Sequence, residues 1–444
     1  MVIERLRHCT IAILAAALLY GCSTGEVNAG TLYVNAGDTN PVAVASRSGD
    51  LALLRRQEQG TTDPLVRSII TSVIARMLGN YDDSIRVSKA CFDQARSVGL
   101  TSIALVCGRV WASNYLLRGD LNRWSEATAE VWTDLKPALA KVMNTDDISL
   151  YELDFASQIP LLHYSETGVR APSRGAIVGR LVGHKTSEYL GDTLEVNGSI
   201  SGSTVSMIVD TGAAFSALSD VDASRLGIKP TSVSVRVRTT PEVRSSQVES
   251  SMRLAVVPKI KLGDAEVSNV IFLVGGANQS VLGLNVISKL PSPVVLSRAG
   301  IAFGQATMKC DIPMITATDI SGTVSTAFGM ISDIDGKPSF AALDLGNNAY
   351  VEGYANALSH ALSNAPTPMM TTRVDATVPS SYYTGRVRLS PGPSAQAIDA
   401  PLLVLATSKP PYDWTIGSGV LKDFSIYLDF KGHAACLSAD NPSR

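Results

Sequence analysis

Two short segments of this 444-residue chain hold side chains that could do chemistry together. In the first, the apolar run Val205-Ser206-Met207-Ile208-Val209 leads into Asp210-Thr211-Gly212-Ala213-Ala214-Phe215-Ser216. In the second, Ser339-Phe340-Ala341-Ala342-Leu343 leads into Asp344-Leu345-Gly346-Asn347-Asn348. A carboxyl group at the end of an apolar strand is poorly solvated, and a glycine two residues later permits a tight turn that a side chain would block. Two such groups held close can share one proton. One then acts as a base toward water while the other protonates, which is the pair of tasks that amide hydrolysis demands.

No other constellation competes with this one. The five histidines (His8, His163, His184, His360 and His433) are scattered, and no Cys-x-x-Cys or Cys/His spacing suggests zinc, so neither a metal nor a cofactor is expected. Gly-x-Ser-x-Gly and Gly-x-x-x-x-Gly-Lys are both missing, which leaves serine-hydrolase and nucleotide chemistry without an anchor. Lys and Arg number 38 against 40 Asp and Glu, so there is no general basic field to hold nucleic acid.

The elements that must position the two carboxyls lie in the second part of the chain. A length of 444 residues suggests roughly three domains at about 150 residues each. With 35 Gly, 21 Pro and only 18% charged residues, the composition fits β-rich lobes with many turns. After Ser173 the texture becomes short β-branched runs broken by Gly, Ser and Pro, and one order of events occurs twice. A strand ending in Asp-x-Gly is followed by a helix-like stretch, at Ser219–Leu226 and again at Ala355–Leu362. Each half then closes on an apolar segment, Val281-Leu282-Gly283-Leu284-Asn285-Val286-Ile287 in one case and Trp414-Thr415-Ile416-Gly417 in the other. Two lobes of one design, 174–306 and 310–440, are the economical reading, with Trp414 assigned to packing.

Residues 50–165 read as helical. Asp63-Pro64 forms an N-cap with proline at the first helical position, and Leu65, Ile69, Ile70, Val73, Ile74 and Met77 recur on one face. Leu78–Ala95 resembles the turn and second helix of a tetratricopeptide repeat, and a similar Leu-Arg-Gly-Asp turn returns at Gly119. Such hairpins could hold a protein partner or serve as a spacer. Upstream, Arg5 and Arg7 precede an apolar run too short to span a bilayer comfortably, so 1–22 reads as a signal peptide and 23–49 as a tether. Leu19-Tyr20-Gly21-Cys22 resembles the bacterial lipobox, which implies lipidation at Cys22 and a lipid-anchored protein of the bacterial cell envelope facing the periplasm. The remaining Cys91, Cys107, Cys310 and Cys436 allow three disulfide pairings; proximity favours Cys91–Cys107 and Cys310–Cys436.

From Gly175 onward the sequence resembles the retropepsin-like aspartic proteases of bacteria. The marks are the apolar strand into Asp210-Thr211-Gly212-Ala213-x-x-Ser216, the helix beginning near Leu218, and the paired Leu282-Gly283. The resemblance implies a fold of two tandem, mostly-β lobes behind the all-α region, forming a single-chain acid-protease site. It implies that Asp210 and Asp344 are the catalytic pair, acting on protein or peptide substrates. Thr211, Gly212, Ala213, Ser216, Leu345, Gly346 and Asn347 would form the active-site loops, supported by Leu282, Gly283, Ile416 and Gly417. Ala213 supplies no hydroxyl to stabilise an ionised Asp210, so the site should work at a less acidic pH than strongly hydrogen-bonded carboxylates do. Leu345 departs from the usual Thr or Ser, and Asn347 and Asn348 could donate to Asp344 in its stead. That departure leaves open a catalytically inactive protein that keeps the fold to bind peptides, or a pairing of first lobes from two chains. Hairpins over the cleft are expected at Val233–Val257, with Thr239–Glu242 at its tip, and at the strand-poor Thr371–Arg388 with Tyr382 and Tyr383.

Overall fold

The computed structural model describes residues 41–139, 151–183, 189–232, 234–238, 249–275, 279–304, 310–318, 326–354, 365–372, 377–390, 397–405 and 413–439. The signal peptide, Cys22, the Thr239–Glu242 tip and the Ala355–Leu362 run lie outside them. Two compact units emerge: one comprises the residues up to Leu161 together with Thr316–Thr326, the other Leu162–Ile315 with Ala327 onward.

The first unit is helical, from Pro41–Ser48 to Tyr151–Gln158. Helix therefore begins inside the stretch expected to be a tether: Val42, Ala43 and Ala45 are buried, and Ser46 Oγ donates to the Thr318 carbonyl at 2.6 Å within the same unit. Asp63 caps Pro64–Met77, its Oδ1 accepting from the Leu65 and Val66 amides at 2.8 and 3.1 Å. On that helix Leu65, Ile69, Ile70, Val73 and Met77 are buried, whereas Ile74 is only half-buried and the fully buried Arg76 donates to Ser113 Oγ. Helices Pro64–Met77, Tyr81–Ser97 and Thr101–Arg118 each end on a left-handed glycine, namely Gly79, Gly99 and Gly119 with φ of 74°, 75° and 80°. In each case the next residue's amide reaches back to close the helix end: Asn80 to Ala75, Leu100 to Ala95, Asp120 to Tyr115. Gly99 is the turn that the comparison of Gly79 with Gly119 passed over. Cys91 and Cys107, on consecutive helices, are joined by a disulfide.

The second unit repeats one sheet. Its first lobe runs in the strand order Gly175–Gly183, Asp192–Ile200, Ser203–Val209, Val281–Leu282, Ser216–Leu218, Ala265–Val274, Glu249–Leu262, Ser234–Arg238. The second lobe runs Met314–Thr318, Thr326–Ile334, Lys337–Asp344, Trp414–Gly417, Val351–Tyr354, Ile398–Leu405, Thr377–Ser390, Thr367–Thr372, its first two strands including Thr316–Thr318 and Thr326 of the first unit. Position for position these are the same path, down to the extra pairing of the second strand with the seventh in both lobes. The repeat of events seen in the sequence is thus a repeat of topology. Thr367–Thr372 and Thr377–Ser390 form a long hairpin where a strand-poor segment was expected. Tyr382 through Leu389 pairs residue by residue with Ile398–Leu405, burying Val387 and Leu389 in the core.

The lobe boundaries also differ from expectation. Gly168–Arg170 pairs with Ala265–Val274, so the first lobe's sheet begins before 174. At the other end, Phe424–Asp429 pairs with Val294–Ser297 of the first lobe, Leu428 opposite Val294, and Ala434–Ala439 lies outside it. The last hairpin therefore extends the first lobe's sheet, while the strands of the second lobe form a separate sheet. A disulfide ties Cys436 on the final strand to Cys310.

In both lobes a strand passes between the carboxyl-bearing strand and the one after it, and the crossing is too tight for a side chain. A methyl group on Gly283 would lie 2.7 Å from the Phe215 carbonyl carbon and 2.8 Å from the Ala213 oxygen; on Gly417 it would lie 2.4 Å from the carbonyl oxygens of Ala349 and Asn347. Gly283→Ala and Gly417→Ala should each destabilise the chain by about 1–3 kcal/mol or more, because backbone must move. Gly60→Ala, at a helix end with nothing within 4 Å, should leave thermal unfolding unchanged or slightly raised. Parallel thermal melts of the three variants check this.

Candidate active site

Asp210 begins where Ser203–Val209 ends, held by its own amide donating to the Leu282 carbonyl at 3.0 Å. Asp344 is the last residue of Lys337–Asp344 and pairs with Gly417. The two loops face one another so closely that each glycine meets the other loop's carboxyl. A methyl on Gly212 would lie 2.6 Å from Asp344 Oδ1, and one on Gly346 would lie 2.5 Å from Asp210 Oδ2. The two carboxyl groups are close enough to act on each other's ionisation. Asp210 is 8% exposed and Asp344 half-buried.

Thr211 ties the loops together from one side. Its Oγ1 donates to the Leu343 carbonyl at 2.8 Å and accepts from the Leu345 amide at 3.1 Å. Nothing answers from the other side, since Leu345 has no hydroxyl and is fully buried in the core. Half of a reciprocal lock is made of hydrogen bonds and the other half of packing.

Ser216 does not face the carboxyls. Its hydroxyl donates to Asn285 Oδ1 at 2.8 Å and accepts from the Gly283 amide at 3.0 Å, while Asn285 Oδ1 also accepts from the Ser216 amide and Asn285 Nδ2 donates to the Ile271 carbonyl. Asn285 thus fastens the strand crossing under Asp210. Sequence reading gave it no role, though it stands two residues after the Leu282-Gly283 that was singled out. In the second lobe the same crossing is closed by Ser418, whose amide and hydroxyl both donate to the Asn347 carbonyl at 2.7 and 3.1 Å. Trp414 is buried and packs against Gly353. The Asn347 side chain does not donate to Asp344 as expected; its Nδ2 donates at 2.6 Å to Glu352 Oε2, a buried carboxyl that the sequence reading missed. The Asn348 carbonyl accepts from the Gly191 amide of the first lobe at 2.7 Å.

The two carboxyls are not equivalent. Asp210 Oδ1 accepts from the amides of Gly212 and Ala213 at 2.7 and 3.1 Å, bonds that favour its ionised form, although burial still holds it above the usual carboxylate range. Asp344 is pushed further up, first by burial, then by the charge of Asp210 and that of Glu352, with main-chain donors offsetting only part. The surroundings therefore favour ionisation of Asp210 over that of Asp344.

Residues 196–286, the greater part of the first lobe, match the protein-family model described as Aspartyl protease. This supports the resemblance read from Asp210-Thr211-Gly212 and Leu282-Gly283. Solved structures similar to the chain include basic 7S globulin from soybean, at 12% identity over 60% of this chain and 95% of that one, with a TM-score of 0.38. An aspartic proteinase from Irpex lacteus is 16% identical over 60% and 98%, TM-score 0.36. A retropepsin-like aspartic protease from Rickettsia conorii is 20% identical over 32% and 92%, TM-score 0.22. No curated protein matches the chain.

Because both carboxyls are held above their unfolded values, the stability they lend is complete at acid pH and is lost as pH rises through the raised values. Asp344→Asn removes the repulsion while keeping the shape. It should raise the apparent melting temperature by about 2–4 °C for each kcal/mol relieved at about pH 7 and leave it unchanged near about pH 4, as calorimetry at the two pH values will read.

Proposed function

We propose that this protein is an aspartic endopeptidase that hydrolyses peptide bonds of protein or peptide substrates through a water held between Asp210 and Asp344. The observation that carries this reading is the meeting of the two carboxyls across the Gly212 and Gly346 loops, with Asp344 pushed further from ionisation than Asp210. Ionised Asp210 takes a proton from the water as its oxygen attacks the scissile carbonyl carbon. Protonated Asp344 gives its proton to the carbonyl oxygen, forming a neutral gem-diol. When the C–N bond breaks, the proton now on Asp210 passes to the departing nitrogen and one diol proton returns to Asp344, so each cycle consumes one water and restores the starting state. The paired strands Ser234–Arg238 and Glu249–Leu262, and their second-lobe counterparts Thr367–Thr372 and Thr377–Ser390, occupy matching places in the two sheets and are the candidates for covering a bound peptide.

The same reading places the protein in the bacterial cell envelope, anchored by a lipid on Cys22 and facing the periplasm, with the helical hairpins orienting substrate or engaging a protein partner. It rests on the lipobox-like Leu19–Cys22 and on the turns at Gly79 and Gly119; among the described residues no helix is long and apolar enough to cross a membrane. A second reading, a peptide-binding scaffold without catalysis, is favoured by one observation, the missing hydroxyl at Leu345.

The test is cleavage of a mixed peptide library between about pH 4 and 7 by lipid-free protein beginning at Ser23. Wild type should cut. Asp210→Ala and Asp344→Ala should each lose about 100-fold or more, and Thr211→Val should lose activity together with about 1–3 kcal/mol of stability, since it leaves the buried Leu345 amide without its acceptor. Full activity in Asp344→Ala would instead support pairing of first lobes from two chains. Peptide binding without cleavage, equal in wild type and variants, would support the scaffold.

A further inference from the structure

Glu352 is 6% exposed, in the middle of the second lobe's sheet. Strand register identifies the residue it replaces. In the first lobe Ala217 pairs with Val281, just before Leu282-Gly283; in the second, Glu352 pairs with Thr415, just before Ile416-Gly417. One lobe therefore has a methyl group where the other has a carboxyl. The connecting loop differs too: Ala217 is seven residues after Asp210, Glu352 eight after Asp344. The longer loop contains Asn347-Asn348, and Asn347 joins the two acids of its lobe. Its main-chain N–H donates to the Asp344 main-chain carbonyl at 3.1 Å, its Nδ2 donates to Glu352 Oε2 at 2.6 Å, and its Oδ1 accepts from the Ala349 amide at 2.9 Å.

A buried carboxyl is costly unless hydrogen-bonded, and packing alone would be served by the alanine of the first lobe. We propose that Glu352 is a positioning residue of this site, a third carboxyl that braces the Asp344 loop through Asn347 and determines on which aspartate the shared proton resides. The proposal rests on the reading of Asp210 and Asp344 as a proton-sharing pair. Two acidic groups act on Asp344 in the sense of keeping it protonated, Asp210 from the first-lobe loop and Glu352 from the neighbouring strand. The residues paired with Glu352 on its flanking strands, Leu403 and Thr415, carry no charge. Asp423 acts instead on Tyr350, whose hydroxyl is raised first by burial and then by that charge, and Lys422 lies over the Tyr350 ring. In the first lobe no acid stands at the corresponding position, so the bias has one direction.

The test is a carboxyl-carbon NMR titration of full-length protein labelled at aspartate, comparing wild type, Glu352→Gln and Asp344→Asn. Glu352→Gln keeps an acceptor for Asn347 and removes the charge. The upper titration step of the pair should fall by about one pH unit, and the alkaline limb of kcat/KM should move down by the same amount. Glu352→Ala, which installs the first lobe's residue, should shift the step equally and lower kcat as well, with Gln restoring kcat. An unmoved upper step in folded Glu352→Gln or Glu352→Ala overturns the proposal, as does an upper step that survives Asp344→Asn. The titration does not depend on turnover: a shifted step in a protein that cuts no peptide supports the role of Glu352 and counts against the endopeptidase reading.

Discussion

Two acidic groups that repel one another are held face to face across two glycine loops, and the rest of the second unit is arranged around that constraint. Each carboxyl needs the other's backbone out of the way, which is why glycine follows at the second position in both loops. Each loop needs support from below without bulk, which is why a strand ending in Leu282-Gly283 or Ile416-Gly417 passes beneath it. The Thr211 hydroxyl, donating to one lobe-two backbone atom and accepting from the next, stops the pair from separating under its own repulsion.

The duplication is approximate, and its departures all fall on the second lobe. Leu345 replaces a hydroxyl with a packed side chain, the loop gains a residue, and Glu352 takes a small residue's place. An exactly symmetric pair would have no preference for which carboxyl keeps the proton. These departures make the surroundings unequal: amides converge on Asp210, acids on Asp344. The asymmetry that looks like decay in the second tripeptide is also what gives Asp210 and Asp344 unlike surroundings.

Much of this was legible in the sequence because it depends on local residue identity. Asp210-Thr211-Gly212 after an apolar run, the matching Asp344 segment, and the Leu-Gly and Ile-Gly crossings all announce themselves through types that only a tight turn or a close approach would require. What stayed hidden depends on residues distant in sequence. Asn285 matters through Ser216, 69 residues away, and Glu352 matters through strand register, which no local pattern reveals. The long hairpin ending in Thr377–Ser390 was concealed by Pro, Gly and Ser within it, and its partner strand Ile398–Leu405 overrides those weak local preferences. Helix at Pro41–Ser48 was missed since Ala and Ser carry little periodic signal, while burial of Val42, Ala43 and Ala45 decides the matter.

The closing hairpin Phe424–Ala439 has a consequence for how the chain comes to be made. Val294–Ser297 belongs to the first half, yet its second neighbour is synthesised more than a hundred residues later. Until that neighbour arrives, the growing polypeptide carries an unpaired strand edge of Val and Leu, a template for any other extended segment it meets. Assembly order and sheet order are thus opposed, and the vulnerable interval lasts until Phe424–Asp429 has emerged.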